Sequence, residues 1–225
     1  MASTGPELLL EASTWIRLFQ GLAVTLTVSV FSVGLSMILG VILGVVMTSK
    51  NPVVHWVSQI YLEFGRLMPQ LVLLFIVYFG FARTLGLHLS GFQAAVIVFT
   101  FWGAGEMADL VRGAITSIPL HQLESAASLS LSKTQIYRFV ILPQAFRRLL
   151  PQAMNLVTRM IKTTSLIVLI GVVEVTKVAQ QIIEAQRLTI PNAALWLYLA
   201  VLVLYFLLCF PLSKWAEHLE GRWSN

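Results

Sequence analysis

Between Leu18 and Ser49 the chain runs without a single Asp, Glu, Lys or Arg. A bilayer core about 30 Å thick takes roughly 20 apolar residues as a helix. Inside lipid every backbone N–H and C=O must be bonded within the protein, so a run this long and uncharged is constrained to be a spanning helix. Three more uncharged runs follow, Leu67 to Ala82, Thr84 to Gly105 and Leu188 to Ser213. The first of these is short and is extended backwards by "SQIYLEF". A further stretch, "LLPQAMNLVTRMIKTTSLIVLIGVV", is broken by Arg159 and Lys162 and carries the weakest hydropathy signal. The expectation is an all-α membrane protein, one transmembrane domain over 1–225, with about five helices near 18–49, 58–83, 92–117, 148–174 and 192–214.

Composition excludes the main alternatives. With 57% hydrophobic and 11% charged residues, the chain is too apolar for one soluble core. The formal net charge of +5 is scattered between apolar blocks and forms no basic face, so no nucleic-acid partner is expected. The one cysteine, Cys209, lies within "LYLAVLVLYFLLCF" and supports neither a disulfide nor a thiolate metal site. The histidines show no H-E-x-x-H spacing, and no metal ligand is expected. The opening "MASTGPELLLEAS" has two glutamates and no Lys or Arg, the reverse of a signal-peptide n-region, so the first span is expected to be retained.

Positive charge sets an expected orientation. On one side of a five-span chain lie Lys50, Lys133, Arg138, Arg147, Arg148, Lys214 and Arg222, and on the other Arg17, Arg83, Lys177 and Arg187. The bias puts the N-terminus outside and the C-terminus in the cytoplasm.

The same bias puts a polar island, "HQLESAASLSLSKTQIYRFVILPQA", on the cytoplasmic face. Pro119 stops the preceding helix. Leu120, Leu123, Ala127 and Leu131 recur at helical spacing, too briefly to span anything. "KTQIYRFVIL" gives a second short apolar face, and Pro143 is placed to open the next helix. Two short helices joined near Ser130 and Ser132 are expected at the membrane surface.

Charges at membrane depth are costly and face a protein interior or a water-filled cavity. Glu106, Asp109 and Arg112 recur three apart, as do Arg159 and Lys162, so each set shares one helical face. Two readings fit. The acids meet a cationic group and Arg159 or Lys162 a carboxylate, as a zwitterion requires; or Asp109 pairs with Arg112, and Arg159 or Lys162 satisfies groups of a neighbouring helix. Glu63 and Arg66, at i and i+3, are expected to form a local ion pair. Ser36, Gly40 and Gly44 make a small-residue stripe suited either to pairing of two chains or to internal packing. "EVTKVAQQIIEAQRLTIPN" reads by itself as a solvated loop.

Taken together, these pieces resemble a family. "LESAASLSLSKTQIYRFVILPQAFR" is similar to the EAA loop of permease subunits of ATP-binding-cassette importers of the histidine, glutamine and glutamate type. "GLAVTLTVSV", "YLEFGRLMPQLVLLFIVYFG", "GEMADLVRGAITSIP" and "IKTTSLIVLIGVVEV" resemble its other segments, in order, over roughly residues 17 to 220. The departures are Ser130 for the loop glycine, Arg66-Leu67-Met68-Pro69 for Arg-Gly-Thr-Pro, Glu106 and Asp109 for a common Tyr and Glu, and Lys162-Thr163-Thr164-Ser165 for Lys-Asp-Thr-Ser.

The resemblance implies a type I importer permease fold in a bacterial inner membrane and a chain that is not itself an enzyme. It implies a coupling loop over 119–143 that docks on a cytoplasmic ATPase dimer, with Glu124 as the polar contact, Ser125, Ala126 and Ser130 packed closely, and Pro143 closing the loop. It implies a substrate path involving Glu106, Asp109, Arg159, Lys162, Thr164 and Ser165, gating or structural roles for Arg66, Pro69 and Glu174, and a gate and docking surface for an external binding protein in "EVTKVAQQIIEAQRLTIPN". No phosphate-binding G-x-x-x-x-G-K-[ST] motif occurs in the chain, so ATP and Mg are expected on the partner ATPase and no cofactor here. A second permease subunit, an external amino acid-binding protein and membrane lipid complete the expected partners. Opines, sulfur amino acids or other small polar solutes are alternative cargoes, and an ion-driven secondary transporter is an alternative class that the lack of an inverted repeat disfavours.

Overall fold

The computed structural model describes residues 5–223. The first four residues of the opening stretch weighed as a leader, and the last two of the chain, lie outside the described residues. The elements are helical throughout the described residues: α1 (Ala12–Val46), α2 (Pro52–Leu67), α3 (Gln70–Phe75), α4 (Phe81–Leu85), α5 (Gly91–Thr116), α6 (Leu120–Ser128), α7 (Lys133–Ile136), α8 (Leu142–Thr163), α9 (Val175–Ala185) and α10 (Ala193–Trp223). Four stretches are long and apolar enough to cross a membrane: α1, α5, the stretch Lys133–Ile170 and α10. The pair α2 plus Gln70–Thr84 makes a fifth if counted as one broken span.

Three breaks have plain causes. Met68 and Pro69 are both extended between α2 and α3, because proline disfavours helical backbone in the residue before it. The sequence expectation of one continuous helix over 58–83 is therefore corrected to two pieces. Before Pro143 the helix does not restart. The chain passes from α7 through a π turn, Tyr137–Ile141, in which Leu142 N–H donates to Tyr137 O. Proline has no N–H to return to Phe139, and a wider turn absorbs the gap, so the second short helix of the polar island is the first part of the α8 stretch. After α8 a tight turn of helix, Thr164–Ile170, ends at Gly171 with φ 81°, which glycine adopts at little cost.

The chain forms two compact units. The first holds residues up to Ser32, Pro69–Phe99 and Arg159–Pro211; the second holds Val33–Met68, Thr100–Thr158 and Leu212 onward. In the first unit Leu18 and Leu22 of α1, Val178 and Ile182 of α9, and Leu197 and Leu204 of α10 form a buried core. Gly21 lets α9 approach: a Cβ there would lie 2.8 Å from Val175 Cα. The segment that reads as a solvated loop is thus a helix whose Val175, Val178, Ala179 and Ile182 are buried, at the i, i+3, i+4, i+7 spacing of one face.

In the second unit the small-residue stripe is internal. A Cβ on Gly40 would lie 2.5 Å from Met107 Cβ, one on Gly44 2.5 Å from Val111 Cβ, and Ser36 Oγ donates to Thr100 O at 3.4 Å. The stripe is the seat of α5.

Candidate functional site

The second unit carries a charged cluster. α2 begins at Asn51, whose side chain accepts from Val53 N–H, with Pro52 in the first turn. It is fixed to α5 by Tyr61, whose hydroxyl donates to Phe101 O at 2.6 Å and whose ring meets the Phe101 ring edge-on, centroids 4.9 Å apart. That contact sets Arg66, in the last turn of α2, against α5. Arg66 Nε lies 3.2 Å from Glu106 Oε1, and its Nη2 lies 2.5 Å from Asp109 Oδ2. Arg112 Nη2 is 2.5 Å from the other oxygen of Asp109. Two guanidinium groups thus neutralise two carboxylates.

The predicted Glu63–Arg66 pair is corrected here. Glu63 accepts from Gln59 Nε2 at 3.1 Å, while Arg66 goes to α5, where two carboxylates are a better partner than one and allow several charge-assisted bonds. The reading in which Asp109 pairs with Arg112 is the observed one.

The polar island forms a hairpin in the same unit. Ser130 is the one non-glycine residue with positive φ, at 60°, among the described residues. Ser130 N–H donates to Ala127 O and Leu131 N–H to Ala126 O, the paired bonds that close a helix on a left-handed residue. Ser132 then caps α7, its Oγ accepting from Gln135 N–H while Gln135 Oε1 accepts from Ser132 N–H. Ala126 faces inward with Ala114, Ile118, Ile136 and Ile141, so its methyl packs the hairpin's own core. Glu124, Ser125 and Ser130 are exposed, as are Leu120 (68%) and Leu129 (76%). Arg148 Nη1 ties α8 to the end of α5 through Ser117 O and Oγ, both at 2.7 Å. Pro143 is exposed on α8.

The remaining predicted residues belong to the first unit. Arg159 and Lys162 are exposed on α8. Thr164 Oγ1 donates to Ile161 O at 2.7 Å and is buried; Ser165 Oγ donates to Lys162 O at 2.9 Å. Glu174 is wholly buried. Its carboxylate caps α9, accepting from Thr176 and Lys177 N–H at 2.9 and 2.8 Å, and Tyr205 Oη lies 3.4 Å away. Thr25 Oγ1 lies 3.5 Å from the same carboxylate. Sequence reading missed Thr25 and Tyr205. A signal existed for Thr25, since Thr25, Ser29, Ser32 and Ser36 lie along one buried face of α1.

Helices of spanning length joined through a broken helix and a polar hairpin make up the chain, and solved structures share this fold. The chain superposes with a TM-score of 0.87 on a crystal structure of an amino acid ABC transporter with histidines, covering 99% of this chain and 100% of that one at 24% identity. For an inward-facing MetNI methionine ABC transporter the TM-score is 0.71 at 19% identity, covering 93% and 99%. Residues 36–225 match the family of binding-protein-dependent transport system inner membrane components, and the chain belongs to that family. Among its relatives are the probable amino-acid ABC transporter permease protein YckA of Bacillus subtilis, 32% identical over 92% of this chain and 88% of that one, and the glutamine transport system permease protein GlnP of Escherichia coli K12, 32% identical over 91% and 92%. The chain is a multi-pass permease subunit of the ABC importer class.

Proposed function

We propose that this permease moves polar amino acids across a bacterial inner membrane by alternating access, driven by ATP hydrolysed on a separate ATPase dimer that holds the nucleotide and Mg. A second permease subunit completes the pore, and an external binding protein delivers the substrate. Relatives named as amino-acid and glutamine permeases support the substrate class. The observation that carries the coupling role is the hairpin. Glu124 and Ser125 project from a short helix whose other face is locked to α5 and α8 by a buried apolar cluster, and the exposed Leu120 and Leu129 give a partner apolar surface to cover. A push on that surface reaches the spanning helices through this buried cluster and through the helical stretch that runs from Lys133 into α8.

In the substrate path, Arg159 or Lys162 receives the substrate carboxylate, with the Ser165 turn beside them. Glu106 and Asp109 act with Arg66 and Arg112 as a neutral set whose exchange of partners accompanies the change of state. Glu174 and Pro69 hold helix ends in place. The test is Glu124→Lys in the reconstituted transporter. The variant inserts and folds normally, and substrate-stimulated ATP hydrolysis falls to the basal rate. Unaltered stimulation refutes the coupling role.

A further inference from the structure

The second unit contains a cavity of about 530 Å³ where the ends of α5 and α10 meet α8, lined by Arg112, Arg147, Arg148, Gln152, Glu220 and Trp223 among others. Its charges are unevenly used. Arg112 is bound to Asp109 through Nε and Nη2, and Asp109 is shared with Arg66. Arg148 gives one nitrogen to Ser117, which leaves Nε and Nη2, and Arg147 is exposed. On the adjoining face of α8 lies a groove of about 550 Å³. It is lined by apolar side chains alone, among them Val41, Val45, Met107, Ala145, Phe146 and Leu149, and it shares Ala114 with the cavity. Val45 and Phe146 are 52% and 59% exposed.

An apolar groove beside a cavity lined by two further guanidinium groups matches an amphiphile with an anionic head. We propose that cavity and groove together bind one anionic phospholipid, its phosphodiester on Arg147 and Arg148 and one acyl chain along Val41, Val45 and Phe146. A planar guanidinium fork suits phosphate geometry, and basic pockets between spanning helices on the cytoplasmic side are where anionic head groups collect. Trp223, near the end of α10, lines the cavity, in keeping with head-group depth, where indole rings settle. Charge complementarity selects lipid over a second copy of the chain, because the exposed groove adjoins, at Ala114, a cavity whose three arginines outnumber its two acids, Asp109 and Glu220.

The test uses the permease assembled with its ATPase in nanodiscs of phosphatidylethanolamine and phosphatidylglycerol, with retained lipid counted by native mass spectrometry after detergent release. The wild type keeps phosphatidylglycerol in preference to phosphatidylethanolamine. Arg147→Gln lowers that preference about fivefold, the worth of one basic residue near an anionic surface. Val41→Trp, which fills the groove and keeps every charge, removes the bound lipid. A preference unchanged in Arg147→Gln overturns the proposal. So does displacement of phosphatidylglycerol by inorganic phosphate that the Val41→Trp variant binds equally well, since the site is then one for a soluble anion. Efficient crosslinking of two permease chains through Val45→Cys overturns it in favour of a second copy.

Discussion

At the scale of single residues, Ser130 shows how a local rule is broken and repaired. A left-handed backbone costs a non-glycine residue on the order of 1 kcal/mol. Ser130 tolerates it because two helix-closing hydrogen bonds and the inward packing of Leu131 fix the turn. Ser130→Gly therefore raises stability by about 1 kcal/mol without moving the hairpin, measurable as a higher thermal midpoint in detergent with substrate-stimulated ATPase activity retained. A lower midpoint would mean that the serine makes a contact the backbone account omits. Arg66 teaches the complementary lesson. Its i,i+3 neighbour Glu63 was legible in the sequence, yet such a helical pair is worth only a few tenths of a kcal/mol. Two carboxylates on another helix outbid it, and a single sequence gives no sign that α2 lies against that face of α5. Glu106 and Asp109 were legible as a helical face, whereas their partner was visible only half right, as Arg112.

At the scale of elements, hydropathy marked α1, α5 and α10 because they carry long uncharged runs. It was weakest over α8, where Arg147, Arg148, Arg159 and Lys162 dilute the apolar signal of a helix whose other face is packed by Leu156, Met160 and Ile161. It misjudged the α2–α3 region, since window averages smooth over the extended pair at Met68 and Pro69. α9 was hidden by its polar face, although its buried positions follow helical spacing. The junction of α1 with α5 allows a sharp comparison. Gly34 and Gly44 lie in one helix, but a Cβ on Gly34 meets nothing within 4 Å, whereas one on Gly44 falls 2.6 Å from Ala108 O, a backbone atom that cannot turn aside. Gly44→Ala should destabilise the permease by about 1 to 3 kcal/mol through overpacking, and Gly34→Ala should not. Thermal unfolding of both variants checks this; equal midpoints would remove the close helix approach as a determinant.

At the scale of the whole molecule, the permease reading has a requirement that neither an ion-driven carrier nor a membrane scaffold shares: a stoichiometric ATPase partner. Expressed with that partner, tagged permease should co-purify with it in a fixed ratio, and the reconstituted complex should hydrolyse ATP faster with a subset of polar amino acids than without. Uptake driven by an ion gradient in the absence of ATPase would overturn the assignment. The chain passes between its two compact units at 32/33, 68/69, 99/100, 158/159 and 211/212, and four of these crossings fall inside uninterrupted helices: α1, α5, α8 and α10. Neither unit is therefore a module that recombination could lift out at a loop. Grafting one unit from a relative needs five matched junctions, four of them cutting a helix in mid-turn. Change of substrate in such a chain must then come by point substitution within one inherited frame, residue against residue, and not by shuffling of parts.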